Sequence, residues 1–147
     1  MDIEIDLVLA PVDGSDAAES AAEYAVAIAE RYGADLHLLH VLEEQVMRGL
    51  DTGDVTAKSV ADQHRAFAAD VRETLPADMR LSMSSAAGFS SGRLSQTPGS
   101  VVLDSAEELD ADFLVVPRQG PSADPDVTLG KASLYVLEYA SQPVLSV

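Results

Sequence analysis

Short apolar runs alternate with longer stretches of helical spacing along this whole chain, and that alternation leaves few folds open. Leu7-Val8-Leu9-Ala10-Pro11-Val12 is a run of the kind found in a strand buried on both faces. Asp13-Gly14-Ser15-Asp16 follows, a turn that ends in helix-capping residues. From Asp16 to Tyr32, Ala18, Ala21, Ala22, Ala25, Ile28 and Ala29 lie at helical spacing, and Gly33 is a good stop. Small residues on that face let a helix sit close on a sheet. Asp35 to Leu42 reads as the second strand. Glu43 to Thr56 is polar, contains Gly49 and Gly53, and reads as a loop with one helical turn. Ala57 to Leu75 fits a helix with Val60, His64, Phe67, Ala68 and Val71 on one face, ended by Pro76. Met79 to Ala87 alternates weakly, as a third strand would. Gly88 to Gln96 carries no clear structural signal. Thr97-Pro98 then reads as an N-cap followed by Pro at the first helical position, with the helix running through Val101, Val102, Ala106 and Leu109. Ala111 to Val116 is the fourth strand. A polar loop from Pro117 to Thr128, a helix opening just after Gly130, and a last strand from Pro143 to Val147 complete the chain.

The order β-α-β-α-β-α-β-α-β, joined by right-handed crossovers, implies one open α/β sheet of five parallel strands with helices on both faces. A chain of 147 residues suits a single domain, and we read residues 1–147 as one. The core must be built mainly from Ala, Val, Leu and Ile, because aromatics are only 5% of the chain. No run approaches the roughly 18 apolar residues of a membrane span. The acidic start, Met-Asp-Ile-Glu-Ile-Asp, lacks the basic region of a signal peptide, so a cytoplasmic protein is expected. With no cysteine, disulfides and thiolate metal sites are excluded.

Charge narrows the partners. Asp and Glu total 25 against 9 Lys and Arg, a net charge of −16. So negative a field disfavours DNA, RNA and anionic membranes. One reading is an ordinary acidic protein. The reading we favour is a cytosol with molar salt, where the Debye length falls to about 3 Å and self-repulsion is screened. The near absence of lysine, with only Lys58 and Lys131, resembles haloarchaeal proteins.

Four passages resemble the universal stress protein family. Leu7 to Ser15 is similar to that family's first strand and its Val-Asp-Gly-Ser turn. Gly33-Ala34-Asp35-Leu36-His37-Leu38-Leu39-His40-Val41 is similar to its second strand, with the His-Val ending. Ala111-Asp112-Phe113-Leu114-Val115-Val116 resembles its Ala-Asp-Leu-Ile-Val strand. Leu129-Gly130, then Val136-Leu137, then Gln142-Pro143-Val144-Leu145-Ser146-Val147 resemble its final helix and strand. Order and spacing hold along nearly the whole chain. The resemblance implies a Rossmann-like fold of the adenine nucleotide alpha hydrolase type, with strand order 3-2-1-4-5. It also implies a homodimer paired through the last strand.

The same resemblance implies a nucleotide site. ATP-binding members carry Gly-x2-Gly-x9-Gly-(Ser/Thr) after the fourth strand. Glycines let backbone N–H groups approach phosphates at a helix N-terminus, and the hydroxyl donates one more hydrogen bond. Here the four places hold Pro117, Gly120, Gly130 and Lys131. The spacing is intact but the motif is degenerate. Pro117 has no N–H and a fixed φ. Lys131 removes the hydroxyl and adds a cation, which can act on a phosphate as a point charge. Asp124 and Asp126 add repulsion. The implied nucleotide contacts are Pro11, Val12 and Asp13 after the first strand, Val41 through its backbone, and Gly120, Gly130 and Lys131. Asp13 would meet the ribose and base. As bland readings, Asp13 is a helix-cap aspartate, Val41 a core valine, Gly120 a turn and Lys131 a solvated lysine.

Other residues carry less. His37 and His40, three apart on a strand, point to opposite faces and are poor co-ligands for a metal. Asp13-Gly14-Ser15 lacks the Gly-x-Ser-x-Gly elbow of a serine hydrolase. Glu43-Glu44 and Glu107-Glu108 read as solvated surface. The leading expectation is therefore a stress-response or signalling protein that binds an adenine nucleotide, with Mg²⁺, weakly or not at all. A slow ATPase in the same pocket is the second class, with Asp13 as its one placed carboxylate. A purely structural dimerisation module is the third.

Overall fold

The computed structural model describes residues 3–42, 44–87, 98–118 and 128–147. The expectations placed on Gly88 to Gln96, Thr97, Gly120, Asp124 and Asp126 lie outside those residues. The first strand, β1 (Leu7–Val12), runs into α1 (Asp16–Tyr32) and then β2 (Asp35–Leu42). Two helices follow, α2 (Glu44–Thr52) and α3 (Ala57–Thr74), before β3 (Leu81–Ala87). The chain ends with α4 (Pro98–Glu108), β4 (Phe113–Val116), α5 (Thr128–Tyr139) and β5 (Val144–Ser146). All pairings are parallel and the strand order is β3-β2-β1-β4-β5, as expected.

β1 lies at the centre because it has no polar side chain to satisfy: Val8, Leu9, Ala10 and Val12 are all buried. Asp112 fixes the other end of the β1–β4 seam, its Oδ2 accepting from the amides of Asp6 at 2.9 Å and Leu7 at 3.1 Å. Right-handed crossovers place α1 and α3 on one face and α4 and α5 on the other. The contacts agree, since α1 touches α3 and α4 packs along α5. α1 buries Ala18, Ala21, Ala22, Ala25 and Ala29, the alanine face read from its spacing. Ser15 caps it, accepting from the Ala18 amide, and Gly33 ends it at φ 64°.

Two expectations are corrected. Residues 43–56 are not a loop with one turn, for α2 fills Glu44–Thr52. Gly49 does not break α2, because that position has no room for more: a Cβ there would lie 2.4 Å from Val55 Cγ2. Helix α5 begins at Thr128, not after Gly130. First-turn amides lack intrahelical partners in any case, so a glycine there need not mark the boundary. Smaller shifts occur at strand ends. Met79 is buried in the turn before β3, and Ala111 precedes β4.

Gly99 shows how tightly α4 meets α5. A Cβ at Gly99 would stand 2.6 Å from Tyr135 Cδ1 and 2.8 Å from Tyr135 Cβ. Gly→Ala in a helix normally gains up to about 1 kcal/mol. Overpacking costs about 1–3 kcal/mol, and Tyr135 Cβ, one bond from the backbone, cannot swing aside. Gly99→Ala is therefore expected to lower stability by roughly 1 kcal/mol or more, read as a lower midpoint in urea.

Candidate functional site

β1, β2 and β4 all end on one edge of the sheet, and the connection from β1 runs toward β2 while that from β4 runs the other way, toward β5. Ligands of open α/β sheets bind at this reversal, outside the carboxyl ends of the strands. A cavity of about 420 Å³ opens at the same edge, beside that reversal, walled by the ends of β1 and β2, by Glu19 of α1 and by α2 and α3. Its size falls in the range of small-molecule sites. Most of the wall is apolar: Val12, Val41, Val46, Val55, Val60 and Phe67. Its described lining includes two carboxylates, Asp13 and Glu19, and no Lys or Arg.

Asp13 sits where β1 gives way to α1. Gly14 at φ 85° turns the chain, so the carboxylate folds back on the helix start. Its Oδ1 accepts from the Ser15 amide at 3.0 Å and from Ser15 Oγ at 2.6 Å. Ser15 Oγ in turn accepts from the Ala18 amide at 3.2 Å. Thus Asp13 is a cap residue, and the bland reading holds for one of its oxygens. The other differs: Oδ2 is buried and has no partner among the described residues. A buried acceptor without a donor is costly, and few are tolerated without cause.

Val41 comes next. The β1–β2 pairing ends with Val12 opposite His40, one residue before it. From Val41 onward, the β1-facing side of β2 is free of that ladder while β3 still pairs on the other side. Pro11 and Val12 are buried at the end of β1, and Val12 and Val41 reach the cavity wall. Gly130 stands in the first turn of α5, and Lys131 follows it there, its side chain outside the described residues. Pro117 is buried, and its carbonyl accepts from the hydroxyl of buried Ser133 in α5. The structure therefore gathers Val12, Asp13 and Val41 at one cavity. It describes no contact of Gly120, Gly130 or Lys131 with it.

Sequence reading missed the histidines of this cavity. His40 and His64 both line it, their rings stacked at 3.9 Å with 15° between planes. Phe67 meets His40 edge-on at 6.2 Å. His64 Nδ1 pairs with Ser85 Oγ at 3.2 Å. His40 is buried, and its Nε2, like Asp13 Oδ2, has no hydrogen-bond partner among the described residues. His37 points to the other face, as alternation requires, and is satisfied by Ser82 Oγ at 2.7 Å and Ser84 Oγ at 2.8 Å. The 24-residue gap between His40 on a strand and His64 on a helix hides the pair from any local pattern.

Burial, with smaller contributions from His64 and His37, pushes His40 down from 6.5 to about 4. Burial also lowers His37 and His64. Because the folded His40 resists protonation, the unfolded chain binds more protons between about pH 4 and 6.5. Stability from this group is thus complete above 6.5 and is lost as pH falls toward 4, by roughly 3 kcal/mol at most. Urea melts at pH 7 and pH 4.5 check this: His40→Phe is expected to lose clearly less stability between them than the wild type.

The sequence model of the universal stress protein family matches residues 4–147. The chain belongs to that family. The match covers nearly the whole length, so the four passages above are parts of one domain pattern. The fold agrees with solved members. The universal stress protein UspA from Lactobacillus plantarum is 25% identical, with a TM-score of 0.70 and 99% of each chain covered. A universal stress protein solved in complex with cAMP is 20% identical, with a TM-score of 0.65, covering 99% of this chain and 98% of its own. One from Archaeoglobus fulgidus, in complex with dAMP, is 17% identical, with a TM-score of 0.59 and coverage of 99% and 98%. No curated protein matches the chain. Among the described residues, no helix of this universal stress protein is long and apolar enough to cross a membrane.

Proposed function

We propose that this universal stress protein is a cytoplasmic stress-response binding protein that takes an adenine nucleotide, weakly, in the cavity beside Asp13. The observation that carries the reading is that Asp13, which lines the cavity, has a buried Oδ2 without a partner among the described residues. A carboxylate oxygen accepts, and a ribose hydroxyl donates. Val41, at the point where β1 no longer pairs with β2, offers backbone groups to a base. The cAMP and dAMP complexes of similarly folded proteins support an adenine ligand. The phosphate side is the weak part, for Pro117 offers no N–H there. Mg²⁺ would arrive with the phosphates, as charge compensation for them. Binding, not turnover, is the proposed output. One oxygen of Asp13 is already committed to Ser15, which leaves it poorly free to position an attacking water.

The test is calorimetric titration with ATP and Mg²⁺, AMP and cAMP in molar KCl, with phosphate release followed in parallel. Weak heats with negligible release are expected. Asp13→Asn, which keeps the cap acceptor but replaces the free oxygen, should weaken binding about tenfold. Rapid release of phosphate, or no heat from any adenine compound, would overturn the proposal.

The same family membership supports a homodimer through β5. Val144, Leu145 and Val147 are half-buried at the sheet edge, and an unpaired edge invites its own copy. The neighbouring α5 also exposes apolar side chains, Leu134 at 61% and Tyr139 at 60%. Light scattering at micromolar concentration should give twice 15.5 kDa. A monomer there, or a dimer untouched by Leu145→Pro in a variant that still folds, would count against it.

A further inference from the structure

Asp13 and His40 share a peculiarity. Among the described residues they hold the buried side-chain polar atoms without a hydrogen-bond partner, Oδ2 and Nε2, and both residues line the same cavity. Elsewhere buried polar side chains are matched. His37 has a serine at each ring nitrogen, and Ser133 donates to the Pro117 carbonyl. Leaving a buried imidazole nitrogen unpaired costs about 1–3 kcal/mol, so an orphan on a residue that lines a cavity is a candidate partner for a ligand atom. We infer that His40 is a ligand-contacting residue of this site, held by His64, and that its Nε2 reads the hydrogen-bonding edge of a planar nitrogen heterocycle. The inference rests on the proposed reading of the cavity and names what selects its ligand.

Three observations determine the ligand class. The wall is apolar apart from a few polar atoms, which suits a flat ring with a polar edge. The cavity, at about 420 Å³, holds a nucleoside. Asp13 supplies an acceptor for a sugar hydroxyl, and His40 adds its unpartnered nitrogen to the Val41 backbone and the polar lining groups of Ser59 and Gln63 on the side of the base. The positioning is built in. His40 is clamped between β1 and β3, opposite Val12 and Ser85 in register. The His64 ring lies flat on it, and Ser85 Oγ holds His64. His40 Nε2 is recessed and His64 is half-buried, so contact with a ligand requires the His64 ring to give way. The charged and titratable groups about His40 are His64 on α3, His37 on its own strand, and Asp13 and Glu19 in the cavity wall. None is a cation at neutral pH, so His40 meets a ligand as neutral imidazole, able to donate or accept according to tautomer.

The test uses nucleosides, which remove the phosphate question. Adenosine and inosine present opposite hydrogen-bonding groups at one edge of the purine. Wild-type protein in molar KCl is expected to bind one at least about fivefold more tightly than the other. His40→Phe keeps the flat ring and its stacking on His64 but has no nitrogen. It should lose about tenfold in affinity for the preferred nucleoside and bind the two alike. His40→Gln, which restores a hydrogen-bonding group, should recover part of the preference. A merely structural role would weaken both nucleosides equally, so the ratio is the deciding readout. Thermal melts confirm folding of each variant. If adenosine binding is lost in Asp13→Asn but His40→Phe leaves affinity and ratio unchanged, the role of His40 is overturned and the site stands. If no nucleoside and no nucleotide binds the wild type, both are overturned.

Discussion

Moved from molar KCl into dilute buffer, this universal stress protein is expected to lose helix content and to melt lower by roughly 10 °C or more. The charge is −16 on 147 residues. With 25 Asp and Glu against 9 Lys and Arg, attraction can offset only part of it. Arg65 and Asp62 pair at 2.6 Å, but both are more than half exposed, and such a pair contributes at most about 1 kcal/mol. At about 0.1 M salt the Debye length is about 10 Å, so carboxylates on neighbouring turns still repel. At molar salt it is about 3 Å and the repulsion fades. The core makes the balance delicate. Along α1 the buried face is entirely alanine, which removes far less apolar surface from water than the leucines of β2. A lean core leaves less stability to spare against a large repulsive charge. Circular dichroism through a dialysis series is the measurement. Unchanged helix content and melting temperature would show that the acidic surface is not tuned to salt.

The fold was legible because its signals are local. The β1 and β2 runs, the alanine spacing of α1 and the capping residues Ser15 and Gly33 each state their element within a few residues. Helix α2 was not legible, because Gly49 looks like a breaker until Val55 is seen to occupy the space of its missing side chain. The start of α5 was obscured in the same way by Gly130. Of the residues lining the cavity, Asp13, Val12 and Val41 were named from the sequence, because resemblance places them at strand ends. That Asp13 is both cap and candidate contact appears only when its two oxygens are seen to have different surroundings. The His40–His64 stack was beyond sequence reasoning, since a strand and a helix bring it together across 24 residues. Strand periodicity gave the face of His40 and nothing about what waits there.

Wild-type protein is expected to bind ATP with a dissociation constant no tighter than roughly 100 µM, about −5.5 kcal/mol. A double variant, Pro117→Gly with Lys131→Ser, is expected to gain about tenfold. Two causes of weak binding compete. The first is backbone chemistry: Pro117 withholds an N–H and fixes φ where the family motif has glycine. Structure strengthens this cause. Pro117 is buried, its carbonyl is taken by Ser133, and the next amide, of Arg118, donates to the Val147 carbonyl. The segment leaving β4 is thus tied to α5 and to the chain end, with little freedom to wrap a phosphate. The second cause is charge: Asp13 and Glu19 in the cavity wall, Asp124 and Asp126 between β4 and α5 in the sequence, and the net charge behind them. Salt separates the two. Repulsion is screened, so if it dominates, wild-type affinity should climb steeply toward molar KCl across the salt range in which circular dichroism shows the fold intact. A missing N–H is not screened, so if the motif dominates, affinity stays weak at every salt concentration and only the double variant recovers it. We expect the second pattern. Lys131→Ala completes the series: loss of the residual affinity in that variant identifies the lysine as the substitute phosphate contact. Low-micromolar binding by the wild type, or a double variant no better than its parent, would overturn the expectation.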